Sequence, residues 1–392
     1  MSEPGDRDRV KLILNVDAIT PPLTGIGRYA LRLAQGVANH PSIDAARYFS
    51  AYRWVADPEQ ALRANRGVAG IRRYVPAKSF AMRAYFALRQ GAFDRLARQK
   101  FRDHILHSPN YLLFEHDGPS VTTVHDLSWM HYPQYHPRER VEIMRRRMPR
   151  SLEIADAVIT DSEFVREEVI RTFSVDPTRV HAIALGVDEA FVPYDAEQTR
   201  AALAGLGLEH GRYLLALATL EPRKNLARLL DAYEQLDATL RKQYPLVLAG
   251  SKGWHADRLA QRIDGLAARG EAKRLGYVPE ELLPQLLAGA RAMAFPSIYE
   301  GFGLPPLEAM AAGVPVVASS ASSIPEVTGD AALLVAPEDT DGLRQALDRA
   351  LTDAEWRDEA IARGLQRARQ FSWRRCVDAT VDVYRMLAGH GK

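Results

Sequence analysis

The sequence predicts an α/β protein built as two doubly wound, parallel-sheet halves, and three observations carry that expectation. The chain has 392 residues, more than one hydrophobic core usually organises, so two domains of roughly 150 to 200 residues are expected. Short apolar runs alternate with helix-length amphipathic stretches from end to end, the rhythm of successive βαβ units. The stretch from Leu185 to Gly211, with Gly186 and the turn Phe191-Val192-Pro193-Tyr194, divides the runs into two series.

In the first series the expected strands are Val10 to Val16, Arg47 to Arg53, Ile105 to His107, Val121 to His125, Ala157 to Thr160 and Val180 to Ala184. The linker is placed near Val187 to Asp195. The second series follows with Tyr213 to Ala218, Leu246 to Ala249, Ala272 to Leu275, Ala292 to Phe295, Val314 to Ala318 and Ala332 to Val335. Helical patterns close the chain at Thr340 to Leu351, Ala354 to Arg369 and from Ser372-Trp373 to about Leu387. This reading divides the chain into domains 1–190 and 191–371 and a C-terminal helix, 372–392, expected to return to the first domain. Ligands of such sheets bind beyond the carboxyl ends of the strands, so the loops after each strand are where chemistry is sought.

Composition excludes several classes. Hydrophobic residues at 47% and charged residues at 26% argue against a disordered or collagen-like chain. Lys and Arg number 51 against 49 Asp and Glu, without the basic excess of a dedicated nucleic-acid binder. The single cysteine, Cys376, cannot form an intramolecular disulfide and suits a reducing compartment. The N-terminal MSEPGDRDRV lacks the apolar core of a secretory signal, and no apolar stretch approaches the ~20 residues that span a bilayer. A cytoplasmic protein, soluble or peripheral on a membrane, is expected.

The most informative segment runs from Phe295 to Val317. It sets Glu300 just past a strand, a glycine turn at Gly301 to Gly303, a proline pair at the first turn of a helix, and Glu308 inside that helix. Amides of the turn, at Gly303 and Leu304, can face an anion while the two carboxylates accept hydrogen bonds from sugar hydroxyls. An ordinary strand-turn-helix with one surface and one helix-facing Glu fits the residues equally well.

The E-x7-E spacing of Glu300 and Glu308 in S-I-Y-E-G-F-G-L-P-P-L-E-A-M-A-A-G-V-P-V-V resembles the signature of retaining GT-B glycosyltransferases of family four. Thr219-Leu-Glu-Pro-Arg223-Lys224-Asn225 and Ala321-Ser-Ser-Ile-Pro325-Glu326-Val-Thr-Gly329-Asp330 agree with it. The resemblance implies two Rossmann-like domains facing across a cleft, the second holding a nucleotide-sugar donor and the first an acceptor. It implies catalytic or charge-stabilising roles for His125, Arg223, Lys224 and Glu300, and donor contacts from Gly25, Gly27, Lys252, Val278, Gly303, Leu304 and Glu308.

Arg223 and Lys224 lead into a helix expected over Asn225 to Leu240, so two cations and a helix start converge where a diphosphate could rest. Relatives often carry a further Arg upstream, where this chain has Ala218-Thr219, which leaves Arg223 either a substitute or a surface ion-pair residue. Gly25-Ile26-Gly27 follows the first strand, and a plain strand-to-helix turn is its alternative. His125 ends a buried strand, where a structural histidine is the alternative. Asp126 is the nearest carboxylate and a candidate acceptor contact. Two D-x-D patterns, Asp6/Asp8 and Asp339/Asp341, fall in a tail and at a helix start, so no metal and no cofactor are expected.

Residues 78–102 carry seven basic residues and one acidic, interleaved with Phe80, Tyr85, Phe86, Phe93 and Phe101, and Arg145-Arg146-Arg147 adds a second basic run. A basic face toward an anionic membrane and a solvated helix face over an aromatic core both fit. The expected activity is metal-independent, retaining hexosyl transfer, with GDP-mannose the expected donor, to a lipid-linked glycan of surface-polysaccharide assembly. A nucleotide-sugar epimerase and a silent glycan-binding subunit are the rivals.

Overall fold

The computed structural model describes residues 9–62, 79–251 and 257–390. Apolar runs form the strands because both faces of a parallel sheet are covered by helices. β1 (Val10–Asn15), β2 (Ile43–Ser50), β3 (Arg53–Val55), β4 (Ile105–Ser108), β5 (Ser120–Val124), β6 (Ala157–Thr160) and β7 (Val180–Ala182) make one sheet in the order β3-β2-β1-β4-β5-β6-β7. All neighbours pair parallel except β2 and β3, which pair antiparallel. That edge hairpin replaces the single strand expected over Arg47 to Arg53.

β8 (Leu214–Leu217), β9 (Leu246–Ala249), β10 (Ala272–Gly276), β11 (Ala292–Phe295), β12 (Val316–Ser319) and β13 (Ala332–Val335) make a second, wholly parallel sheet, ordered β10-β9-β8-β11-β12-β13. Its core holds Leu214, Leu229, Tyr233, Leu246, Ile263 and Leu347, all fully buried. The helix expected from Asn225 to Leu240 is two, Leu226–Glu234 and Ala238–Gln243, because Asp237 accepts the Thr239 amide at 2.7 Å and starts the second.

Each sheet belongs to its own unit. One unit takes the chain up to His131, Pro137–Gly186 and everything from Trp373 onward; the other takes Tyr132–His136 and Val187–Ser372. The C-terminal helix Trp373–His390 therefore lies in the first unit, against the helix Gly25–Ala38 and strands β1 and β6. Gly36 makes that approach possible, since a Cβ there would come within 2.5 Å of a Val377 methyl. A buried polar chain fastens the same helix. Tyr384 OH lies 2.6 Å from His107 Nδ1, His107 Nε2 lies 2.8 Å from Thr123 Oγ1, and that hydroxyl lies 3.0 Å from Tyr29 OH.

Among the described residues no helix is long and apolar enough to cross a membrane. Lys78 lies outside the described residues, and residues 84–102 mix buried and exposed side chains. Phe93 and Phe101 are core residues beside Phe49 and Leu106. Arg89 is buried in an ion pair with Asp17, and Arg98 is paired with Asp117.

Candidate functional site

In the second unit β8 and β11 are neighbours from which the strand order runs outward both ways, so their carboxyl ends flank the topological switch point where α/β sheets open a crevice. The loops after these two strands carry the two most informative motifs. After β8, Pro222 starts a single 3-10 turn over Pro222–Lys224, and Asn225 ends it with φ of +56°. The Asn225 amide donates to the carbonyls of Pro296 (3.1 Å) and Pro337 (2.8 Å), while Ile298 N donates to Arg223 O at 2.9 Å. Arg223 and Lys224 are thus fixed against the β11 loop.

There they meet Glu300. Lys224 Nζ lies 2.6 Å from Oε1, Arg223 Nη1 lies 3.1 Å from Oε2, and Arg223 also reaches Tyr299 O (2.6 Å) and Glu221 (3.1 Å). Burial pulls the Lys224 ammonium below its ordinary value. Burial pushes the Glu300 carboxyl upward, but Lys224 and Arg223 together outweigh it and hold Glu300 below the usual carboxylate range. Two cations therefore meet two carboxylates, Glu300 and Glu221, at the carboxyl ends of β8 and β11, with Glu300 shared between both cations.

The backbone of Glu300 is held by the segment after β12. Glu300 N donates to Ser322 Oγ at 2.9 Å, and Ser323 Oγ donates to the carbonyls of Glu300 and Phe302, each at 2.9 Å. Gly303 precedes the helix Leu304–Ala311 with φ of +115°, and a Cβ there would meet Ile324 at 2.8 Å. Pro305 and Pro306 carry no N–H, so the amides a helix start would offer fall to Gly303 and Leu304. Glu308 lies on this helix, 1% exposed. Val278 is buried in the loop after β10, beside the half-exposed Tyr277. Lys252 lies outside the described residues, as do Asp6 and Asp8. Asp339 caps the helix Thr340–Thr352 through the Gly342 amide, and Asp341 pairs with Arg344.

The first unit holds the remaining candidates. Thr24 caps the helix Gly25–Ala38 by accepting the Gly27 amide, and Gly27 is buried, with a Cβ there coming to 3.0 Å from Ala18 O and 3.1 Å from Leu23. His125 is buried with both ring nitrogens engaged: Nδ1 is 2.8 Å from Asp161 Oδ2, and Nε2 is 3.0 Å from Pro109 O, so Nε2 carries a hydrogen. Burial raises the Asp161 carboxyl. Burial pulls the His125 imidazole down, but the Asp161 charge and hydrogen bond together with the Pro109 carbonyl outweigh it and raise the imidazole. Asp126 Oδ1 accepts the Ser128 amide (3.0 Å) and hydroxyl (2.7 Å), which fixes the turn after β5.

The structure thus brings Arg223 and Lys224, from the loop after β8, into contact with Glu300, whose own turn after β11 leads to Gly303 and Leu304. Asp161, Glu221, Ser322 and Ser323 were not found from sequence. The serines had a signal there, within the Ala321–Asp330 segment, and Glu221 had one within the Thr219–Asn225 segment.

Residues 204–367 match the family model for group 1 glycosyl transferases, and residues 23–191 match that for glycosyltransferase family 4. The chain is 38% identical to O-antigen chain mannosyltransferase B of Escherichia coli, over 96% of this chain and 100% of that protein. It is 32% identical to D-inositol 3-phosphate glycosyltransferase of Salinispora tropica, over 68% of this chain and 58% of that one. Among solved structures, sucrose-phosphate synthase from Thermosynechococcus elongatus superposes with a TM-score of 0.72 at 22% identity, covering 98% of this chain and 100% of the other. WaaG, a glycosyltransferase involved in lipopolysaccharide biosynthesis, also gives 0.72, at 17% identity over 95% and 99%.

Proposed function

This chain belongs to the glycosyltransferase family that both of its units match, on the GT-B fold, and from that premise we propose that it is a retaining, metal-independent hexosyltransferase. The proposed donor is GDP-mannose, and the proposed acceptor is a sugar hydroxyl of a lipid-linked glycan, met at the cytoplasmic face of the inner membrane. The mannosyltransferase name of the Escherichia coli relative, which spans nearly the whole chain, supports the donor and the polysaccharide context.

The observation that carries the reading is the largely covered Arg223–Lys224–Glu300 cluster at the switch point. A diphosphate entering there would compete with Glu300 and Glu221 for the two cations. Both cations can then offset the charge that builds on the leaving diphosphate, and Glu300 is released to accept hydrogen bonds from the sugar. Gly303 and Leu304 would offer amides to the same anion, with Glu308 on the ribose and the Val278 backbone beside the base. Lys252 retains its proposed donor contact.

His125 acts in this reading through charge. The buried His125–Asp161 pair keeps a proton near the carboxyl end of β5, and direct contact with the donor would require Nε2 to leave Pro109 O. Gly27 serves the backbone path, since its amide is taken by Thr24, and Gly25 remains the proposed point of close approach. Asp126 is proposed on the acceptor side.

The test is incubation with a panel of GDP- and UDP-sugars, with and without a glycan acceptor, reading free nucleoside diphosphate and the anomeric configuration of the product. Nucleoside diphosphate release coupled to a retained α-linkage supports the reading. Interconversion of the nucleotide sugar, or no turnover with any donor, overturns it.

A further inference from the structure

Two tyrosine rings pack against the His125 imidazole in the first unit. Tyr29, from the helix Gly25–Ala38, has its centroid 5.2 Å away at 80°, and Tyr111, from the loop after β4, lies 5.5 Å away at 81°. Asp161 and the Pro109 carbonyl hold the two ring nitrogens, so polar and aromatic contacts together orient the imidazole.

Both tyrosines are anchored on one residue. Thr123 lies on β5, two positions before His125, so the two side chains lean to the same face of the sheet. Its hydroxyl lies 3.0 Å from Tyr29 OH, and its carbonyl accepts the Tyr111 amide at 2.8 Å. Tyr111 stands in the left-handed region, with φ of +57°, which a bulky side chain rarely adopts. The Thr122 hydroxyl secures its other side by donating to Tyr111 O at 2.9 Å. A backbone held in that region persists where its surroundings over-determine it, and here β5 supplies both restraints.

Thr123 is tied in turn to the last helix of the chain. His107 Nε2 lies 2.8 Å from the Thr123 hydroxyl, and His107 Nδ1 lies 2.6 Å from Tyr384 OH. Every side chain on this path is buried. Burial pulls His107 down to about 3, with the His125 charge adding to the effect, so the ring is neutral and donates from one nitrogen while accepting at the other. The hydrogen bonds on its two sides are therefore interdependent: the role of Tyr384 at one nitrogen sets the role of Thr123 at the other. Apolar residues of the same shape would close the helix on the sheet about as well, so packing alone does not call for a polar path here.

We propose that Tyr384, His107 and Thr123 are positioning residues for His125, and that the helix Trp373–His390, besides covering the first sheet, orients the imidazole through the Tyr29 and Tyr111 rings. This rests on the transferase reading, in which His125 acts at the carboxyl end of β5. None of the three touches substrate. Each acts through the placement of the imidazole, and a misplacement of about 1 Å at a reacting centre can cost about 100-fold in rate.

The experiment compares the parent with Tyr384→Phe, Thr123→Val, the double variant of these two, and Val377→Ala. The last trims the packing of the same helix over Gly36 and leaves the polar path intact. Turnover is read as GDP released from GDP-mannose, well below every melting temperature. Tyr384→Phe should lower kcat about tenfold with KM within about twofold, the pattern of a loss confined to the transition state. Val377→Ala should melt lower yet keep kcat within about twofold, and the double variant should lose no more than the larger single one, because both changes break one path. Nitrogen-15 spectra of histidine-labelled, nucleotide-free protein give a readout that needs no turnover. With His125 assigned by its absence from His125→Asn, its ring nitrogens should shift in Tyr384→Phe and stay in place in Val377→Ala. An unchanged kcat in Tyr384→Phe, an equal fall in Val377→Ala, additive losses in the double variant, or unmoved His125 resonances in Tyr384→Phe overturn the proposal. If the parent releases no GDP, the GDP-mannose transferase reading fails and the spectra alone decide the role of Tyr384.

Discussion

Glu300→Gln isolates what the shared carboxylate does, because the side chain keeps its shape and loses its charge. In the parent, Glu300 is buried, and the largely covered Lys224 and Arg223 both donate to it, at 2.6 and 3.1 Å. Removing one partner of a buried ion pair costs about 3–5 kcal/mol, and the retained amide oxygen puts the expectation near the lower figure. For a unit of this size each kcal/mol moves the melting temperature by roughly 2–4 °C, so the variant should melt about 6–12 °C lower. GDP should restore more than it adds to the parent, since its diphosphate takes the place of the missing charge. Differential scanning fluorimetry with and without GDP reads both effects. The folded Glu300 carboxyl sits below its unfolded value, so its contribution is present above about pH 4.5 and is lost as pH falls through the folded value. Glu300→Gln should lose that part of the acid sensitivity. A variant that melts like the parent, with an equal GDP shift, would refute the shared-carboxylate argument.

His107 is buried and pulled down to about 3, chiefly by burial, so it is neutral in the folded protein while the unfolded chain protonates below about 6.5. Stability should therefore fall by about 1.4 kcal/mol per pH unit from 6.5 toward 3 on this account, and chemical denaturation of His107→Gln over that range should give a shallower slope. Gly303→Ala should cost about 1–2 kcal/mol through its positive φ and the contact with Ile324, and should weaken GDP binding measured by calorimetry, because the turn carrying Glu300 must shift. Transfer should persist in excess EDTA; loss on chelation with recovery on added manganese would show a metal requirement.

The strands were legible because buried parallel strands are written as short apolar runs, and Leu246–Ala249, Ala292–Phe295 and Ala332–Val335 fall where periodicity puts them. β3 was not, since Arg53–Val55 is a three-residue edge strand whose pairing depends on a turn rather than on composition. The site residues on the two switch-point loops were visible as motifs, but their contacts were not. Spacing places Glu300 and Lys224 near one anion without showing that they bind each other across 76 residues of chain. Arg89 illustrates the same limit: a run of basic residues reports charge, and only the fold reveals that this one is buried on Asp17.

The first unit is not continuous in the chain, and this orders events at the ribosome. Its β-sheet is complete by Ala182, yet the helix that buries Val377, Val381 and Tyr384 against it comes only after Ser372. Roughly 200 residues separate the two, which at about 5–20 residues per second is about 10–40 s of synthesis. During that interval the second unit can fold from Val187–Ser372 with the earlier Tyr132–His136, while the first presents an uncovered apolar strip beside Gly36 and a His107 lacking its Tyr384 partner. The nascent chain therefore exposes the older unit longest, and the helix that closes it leaves the tunnel only after the whole second unit.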